Sequence, residues 1–231
     1  AFYAETLPNP KLEVFPIKEV SDIGRPLGIP LIMDNTAAPV ICRPLDHGAA
    51  VVMYSTTKYI TGNGTSIGGM IIDGGNFDWE GHKARQPYLN EPDPSYHGAV
   101  WTEAVKPLGP IAYILKARTT LLRDLGAPMA PFNAFMAIHG LETVSLRMER
   151  HCENAIKVAD RLNGHAAIEK VIFPSLMTGE AKRRADAYMN GGYGSLMGII
   201  LKGGAEAGAK FIDKLQTVSY THLRAHETRI H

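Results

Sequence analysis

The residues of this chain best suited to chemistry stand between Met53 and Gly69. Ser55-Thr56-Thr57-Lys58 sets three hydroxyls and an amine after the apolar run Val51-Val52-Met53, which is too brief for a helix and reads as a buried strand. A glycine-rich loop, Gly62-Asn63-Gly64-Thr65-Ser66-Ile67-Gly68-Gly69, follows. Open α/β sheets keep their ligand sites at the ends of strands. A lysine held partly out of water there can lose its proton and attack a carbonyl to form a Schiff base. The plainer reading makes Lys58 a solvated surface group, as most lysines are.

Two other positions share this character. Asp34 follows the apolar run Ile29 to Met33 directly, and a carboxylate there is costly unless a cation or hydrogen bonds meet it. Asp34 could instead cap a helix, although Ala37-Ala38-Pro39 is a poor start for a long one. Asn9 lies in Glu5-Thr6-Leu7-Pro8-Asn9-Pro10, where the prolines exclude a helix and the asparagine could equally bond its own backbone in a turn.

The elements that must position these groups can be placed from pattern. Strands are expected at the N-terminus, at Ile29 to Met33, at Val51 to Met53 and at Met70 to Asp73, with a short helix from Ile17 to Leu27. Short, continuously apolar strands joined by crossovers predict a largely parallel sheet covered on both faces. Residues 77–100 read as a long loop bearing Trp79, Tyr88 and Tyr96, of the kind that is more often functional than idle. Helices are expected from Pro110 to Leu125 and from Pro131 to Leu162, the second with Gly140 inside it. A smaller unit follows as strand (Ile168 to Phe173), helix (Gly179 to Met189), strand (Gly194 to Leu201) and helix (Ala205 to Leu215). The class is α/β. Residues 1–130 are taken as part of a large domain, 131–164 as a linking helix and 165–218 as part of a small C-terminal domain.

Composition narrows the function. At 231 residues, 45% hydrophobic and with a formal charge of +1, the chain can bury a core and makes no electrostatic case for nucleic acid or an anionic membrane. Its apolar runs fall short of the ~18 residues of a membrane span. Cys42 and Cys152 form neither a disulfide framework nor a metal-ligand pattern, so the cytoplasm is expected. His222 and His226 lie four apart, but no HExxH context accompanies them and no metal is expected. The segment 219–231 resembles translated adapter sequence and is set apart from the fold.

Taken together, these stretches resemble a known family. Ser55-Thr56-Thr57-Lys58-Tyr59-Ile60-Thr61-Gly62 resembles the lysine signature of the pyridoxal-phosphate enzymes of cysteine and methionine metabolism, the cystathionine γ-synthase-like group. Glu5 to Pro10, Asp34-Asn35-Thr36, and Leu141-Glu142-Thr143 through Arg147-Met148-Glu149-Arg150-His151 match in the family's order. Gly64 to Gly69, Gly75-Asn76-Phe77-Asp78-Trp79 and Glu91 to His97 are most similar to its O-acetylhomoserine sulfhydrylase branch. The likeness runs from residue 1 to about 218. Ala50 replaces a usual acid and Asn63 a usual histidine, neither of them a group expected to touch the cofactor.

The resemblance implies a fold-type I transferase with pyridoxal 5'-phosphate held on Lys58. Asp34 would pair with the pyridine nitrogen, Ser55 and Thr57 with phosphate oxygens, and Asn9 with the ring's phenolic oxygen. The implied reaction is γ-replacement, in which O-acetylhomoserine and sulfide or a thiol give homocysteine and acetate. Cystathionine synthesis and methionine γ-lysis on the same scaffold stay open, and so does, remotely, a non-catalytic nucleotide-binding module. A homo-oligomer of the tetramer-of-dimers type is implied for the complete protein. The resemblance also implies a fragment, inactive alone, without the family's N-terminal phosphate loop and ring-stacking tyrosine or its C-terminal arginine for the substrate carboxylate.

Overall fold

The computed structural model describes residues 1–215, so His222 and His226 lie outside the described residues. Four strands, β1 (Phe2–Glu5), β2 (Leu31–Asp34), β3 (Val51–Ser55) and β4 (Gly69–Asp73), form one sheet in that order. The first three are parallel, with Glu5 opposite Asp34 and Asp34 opposite Met53. The sheet is therefore mostly parallel, as expected. Only β4 runs antiparallel, pairing Ser55 with Gly69 and Val51 with Asp73. The chain leaves β3 and returns along the same edge, where the Thr56 N–H donates to Gly68 O at 3.0 Å, so β4 has to run back.

Adjacent residues of β3 enter different cores. Val52 packs with Leu7, Val14, Ile17, Leu31, Met33 and Met148, whereas Val51 packs with Phe77, Trp79, Leu89, Trp101 and Val105. Because successive strand side chains point to opposite faces, the sheet is covered on both sides at β3, while most of β1 and part of β4 stay exposed. The first face is covered by helices α1 (Ile17–Gly24) and later α5 (Pro131–Leu162) and α6 (Gly179–Tyr188). Pro26 ends α1 in a tight 3-10 turn, so the helix is shorter than the expected Ile17 to Leu27. Arg25 then ties neighbouring loops together, donating to Gly48 O at 3.0 and 3.1 Å and to Asn76 O at 2.8 Å.

The second face corrects the expectation of a loop. Residues 77–100 fold into short turns that include α2 (Pro87–Asn90), and α3 (Trp101–Ala104) follows directly. Their aromatic rings make a cluster: Trp79 stacks on Tyr113 at 5.1 Å and Tyr96 meets Trp101 edge-on at 4.8 Å. Asp93 sits at its centre, accepting from Lys116 Nζ at 2.6 Å, Trp101 Nε1 at 2.8 Å and its own turn's Ser95 N–H at 2.9 Å. The expected single helix after Pro110 is α4 (Ala112–Lys116), which runs into a wider π-helical coil at Ala117–Leu125.

Helix α5 (Pro131–Leu162) is continuous over 32 residues. Its middle, Val144 and Met148, enters the first core, and its end, Ala155 and Ala159, packs on Val171 and Phe173. A two-stranded antiparallel sheet of β5 (Ile168–Ile172) and β6 (Gly198–Leu201) follows, with helices α6 (Gly179–Tyr188) and α7 (Gly204–Asp213). The strand expected from Gly194 begins only at Gly198. Gly191, Gly192 and Gly194 all have positive φ (80°, 148° and 84°), which a strand cannot use. No helix of the described residues is long and apolar enough to cross a membrane.

The Asp93 cluster should make stability depend on acid. The hydrogen bond from Lys116, then that from Trp101, hold the Asp93 carboxyl at about 2, against an ordinary value of 3.8. A depressed carboxyl stabilises the fold above its unfolded pKa, and that stability is lost as pH falls from near 4 towards 2. Asp93→Asn should therefore melt well below the wild-type chain near neutral pH, with the gap narrowing through that acid window. Thermal melts at several pH values test this, and a gap independent of pH would show that the carboxylate charge is irrelevant.

Candidate active site

Parallel strands β1, β2 and β3 finish at one edge, and the chemistry-bearing residues follow from those ends. Backbone bonds fix the edge: Thr6 N–H donates to Asp34 O at 2.9 Å and Asn35 N–H to Met53 O at 3.0 Å. Asp34 is the last residue of β2 and half-buried. Its Oδ1 accepts the Thr36 N–H at 2.9 Å, and the Tyr3 hydroxyl lies 3.4 Å from its Oδ2 and 3.1 Å from Met53 Sδ. Burial, and then the Asp34 charge, hold the Tyr3 pKa above its usual value.

The turn after β2 is built from polar side chains. Asn35, fully buried, donates to Ala38 O at 3.2 Å, to Cys42 O at 3.0 Å and to the Tyr54 hydroxyl at 2.9 Å. Thr36 reaches across to the next strand, its Oγ1 accepting the Ser55 N–H at 2.7 Å. Asp34 and Ser55 are thus joined through a single residue, Thr36, which donates to one and accepts from the other.

Past Ser55 the chain makes a wide π-type turn, Thr56–Ile60. It closes with Thr61 N–H to Thr56 O and Gly62 N–H to Lys58 O, both at 2.9 Å. Lys58 itself departs from helical geometry (φ −89°, ψ −115°) and is half-buried. Thr57 is engaged with Gly68 twice: its Oγ1 accepts the Gly68 N–H at 3.1 Å and lies 3.3 Å from the Gly68 carbonyl. Gly68 cannot carry a side chain, since a Cβ would stand 2.5 Å from Met129 Cε and 2.7 Å from Thr56 Oγ1.

Four of the five anticipated residues (Asp34, Ser55, Thr57 and Lys58) lie on this edge by strand position and hydrogen bonding. Asn9 stands four residues past Glu5, the end of β1, and is exposed. Two concavities of the described residues lie elsewhere. One of about 230 Å³ is lined by Asp78, Trp79 and Lys106 among others, and one of about 610 Å³ by Leu115, Arg118 and Pro128 among others. Neither is lined by any of the five. We place the candidate site at the strand edge, because an amine, a carboxylate and hydroxyls on rigid strand ends can do covalent and acid–base chemistry.

Residues not singled out from sequence also shape the edge. Thr36 bridges Asp34 and Ser55, and helix α5 presses on the lysine turn through Gly140 and Arg147. A glycine well inside an otherwise periodic helix was the available signal for that contact, because it costs helix stability and usually marks a close approach.

A model of the Cys/Met metabolism PLP-dependent enzyme family matches residues 1–223, past residue 218 into the tail. Among curated proteins, the chain is 48% identical over 226 residues to an O-acetyl-L-homoserine sulfhydrylase of Leptospira meyeri, covering 95% of this chain and 51% of that protein. It is 40% identical over 221 residues to a homocysteine synthase of Schizosaccharomyces pombe, with the same coverage of 95% and 51%. Among solved structures, a putative O-acetylhomoserine (thiol)-lyase of Campylobacter jejuni, holding N'-pyridoxyl-lysine-5'-monophosphate, superimposes with a TM-score of 0.84 at 33% identity, over 93% of this chain and 52% of that one. A cystathionine γ-synthase of Xanthomonas oryzae gives 0.69 at 30% identity, over 93% and 46%. The chain spans about half the length of the curated relatives it matches.

The Thr36 bridge makes its own prediction. Thr36→Val leaves the Ser55 N–H without its acceptor, which should cost about 1–2 kcal/mol in urea unfolding. Thr36→Ser keeps the oxygen and should stay within a few tenths of a kcal/mol of wild type. Equal losses in both would mean that the methyl group, not the hydroxyl, matters.

Proposed function

Since the chain belongs to the Cys/Met-metabolism family of PLP-dependent enzymes, we propose that the protein carrying it performs γ-replacement on O-acetylhomoserine. The Cγ–O bond breaks and acetate leaves. A Cγ–S bond forms with sulfide or a thiol, giving homocysteine or its thioether. The observation that carries this reading is Lys58, Asp34 and Ser55 on the carboxyl edge of one sheet, in a chain 48% identical to an O-acetyl-L-homoserine sulfhydrylase over nearly its whole length.

The donor set fits the family's cofactor. A carboxylate ends β2, a hydroxyl residue ends β3 and an amine follows three residues later, on rigid elements. Pyridoxal phosphate, when bound, supplies the electron sink that stabilises negative charge at the substrate's α carbon. Lys58 would hold the cofactor covalently through Nζ and afterwards move protons at the substrate's α and β carbons. Asp34, its Oδ1 fixed by Thr36, would keep a proton on the pyridine nitrogen. Ser55 and Thr57 would donate to phosphate oxygens, and Asn9 would bond the ring's phenolic oxygen. Thr57 has one hydroxyl proton, so donating to phosphate requires turning it away from the Gly68 carbonyl.

Partners and organisation belong to the same proposal. We read residues 1–130 as part of the cofactor-binding unit, 131–164 as a linking helix and 165–218 as part of a second unit. The two separate sheets, with α5 packed against both, support that division. The amino-acid substrate and sulfide are the small-molecule partners, the complete protein is a homo-oligomer and its setting is the cytoplasm. Exposed Phe132, Phe135 and Ile138 on α5, at 70%, 52% and 60%, support an assembly that covers them.

The test is made on a protein of the relatives' full length that contains this sequence. Lys58→Ala should remove the visible absorption of lysine-bound cofactor while leaving the fold intact. Asp34→Asn should keep that absorption but lower turnover on the order of 100-fold, as loss of a preorganised charge partner does. Near-normal turnover in the asparagine variant would take Asp34 out of its role. Faster use of cysteine than of sulfide would redirect the reading to cystathionine synthesis, and release of methanethiol from methionine would redirect it to γ-lysis.

A further inference from the structure

We propose that Arg147 is a positioning residue for Lys58, gripping the backbone that carries the amine from the helix behind it; this rests on the reading of Lys58 given above. Arg147 projects from α5, half-buried, and its guanidinium is filled by neutral oxygens. Nη1 donates to Tyr59 O at 2.6 Å, Nη2 to Ile60 O at 3.1 Å and to Gly140 O at 2.7 Å, and Nε to Thr143 Oγ1 at 3.2 Å. Two of those carbonyls belong to the residues immediately after Lys58. A guanidinium with its fork occupied in this way is not arranged to take a substrate carboxylate, which rules out the simpler role for an arginine here.

Glycines on both sides make the grip possible. A Cβ at Gly140 would lie 2.0 Å from Ile60 O and 2.8 Å from Thr61 Cα, so the backbone of α5 comes this close to the lysine turn only because residue 140 has no side chain. Gly62, at φ +84°, faces Arg147 from the other side, where a Cβ would lie 2.5 Å from Nη1. Burial lowers the Arg147 pKa, and the guanidinium keeps its charge. A second tie acts on the same residue: the Tyr59 hydroxyl lies 2.5 Å from Ser195 Oγ, and its ring meets His151 edge-on at 5.7 Å.

With the carbonyls at 59 and 60 held by Arg147 and that of Lys58 by the Gly62 N–H, the backbone carrying the amine is restrained on its C-terminal side. Misplacement of a reacting group by about 1 Å can cost on the order of 100-fold in rate, so a backbone grip of this kind bears on chemistry rather than on packing alone. Lysine cannot substitute. One ammonium on a flexible stem cannot span three carbonyls in a fixed fork.

The test compares Arg147→Lys, Arg147→Gln and Gly140→Ala in a protein of the relatives' full length, with Lys157→Gln as an exposed charge control on the same helix. Four quantities are read: the unfolding midpoint before cofactor is added, the rate at which added pyridoxal phosphate develops its lysine-bound absorption, the pH midpoint of that absorption, and kcat separately from KM. Both Arg147 variants should develop the absorption roughly 10-fold more slowly, with a displaced pH midpoint and kcat lowered about 10- to 100-fold at nearly unchanged KM. Gly140→Ala should reproduce the displaced midpoint with Arg147 intact, and Lys157→Gln should match wild type. Should Arg147→Gln not fold, Arg147→Lys and Gly140→Ala decide. Wild-type kcat and pH midpoint in those variants, whatever their stability, would reduce Arg147 to a structural bond and overturn the proposal. Failure of the unsubstituted protein to form lysine-bound cofactor at Lys58 would instead overturn the reading beneath it.

Discussion

Val51 and Val52 are neighbours in β3 yet are buried in two different cores, and both sit at the heart of the fold. A strand held in this way cannot slip by one residue, because the slip would exchange its two faces and misplace every side chain. The register of β3 is therefore fixed from above and below, and the residue after its end is fixed with it. Ser55 and the lysine turn inherit a position they do not themselves determine. The same holds for β2, whose Leu31 and Met33 are buried in the first core while Ile32 between them packs against the second, and Asp34 follows Met33. Buried strands thus bring Asp34 and Ser55 to the edge, and the lysine turn beyond β3 is held further by Gly140 and Arg147 of α5.

Helix α5 extends this logic to the rest of the chain. Its middle closes the first core, its start presses on the lysine turn through Gly140, and its end covers Val171 of the second sheet and Phe173 just after β5. The second sheet is not hung on this helix alone. Ala185 and Met189, from α6 and the residue after it, enter the first core, and Arg184 reaches Glu13 at 3.3 Å and Glu19 at 3.7 Å. Tyr188 adds a 2.5 Å hydrogen bond to Glu19, and Asn190 N–H donates to Ile41 O at 2.7 Å. The rim is charged and the centre apolar. A displacement of the second sheet would be felt at Tyr59 through Ser195, one residue from the amine.

Much of this was legible in the residues, for physical reasons that also explain what was not. Short apolar runs with no helical period could only be buried strands, and the four strands of the first sheet formed within a few residues of their expected places. The lysine turn and Asp34 stood out because charge after a buried run is costly. What escaped depended on contacts between distant segments. Residues 77–100 carry prolines and no period, so they read as loop; their order comes from aromatic packing and from Asp93, whose partners Trp101 and Lys116 lie 8 and 23 residues away. The direction of β4 follows from a turn that folds back on one edge, which composition does not encode. Arg147 looks like an ordinary charge on the outer side of a helix until folding brings Tyr59 O and Ile60 O within reach of its guanidinium.

For Asp34, the residues left open a helix cap or a carboxylate met by other partners. No helix starts there: Oδ1 accepts the N–H of Thr36, two residues on, in a local turn. That bond does not compete with a pyridine nitrogen for the whole carboxylate. An ionised carboxylate has two oxygens and about four acceptor positions, so one backbone donor consumes a small part of its capacity while fixing its plane. Thr36 is itself tied to Ser55, so the plane of the acid is set relative to β3 and hence to the lysine turn. The turn therefore sets the orientation of the Asp34 carboxylate relative to β3.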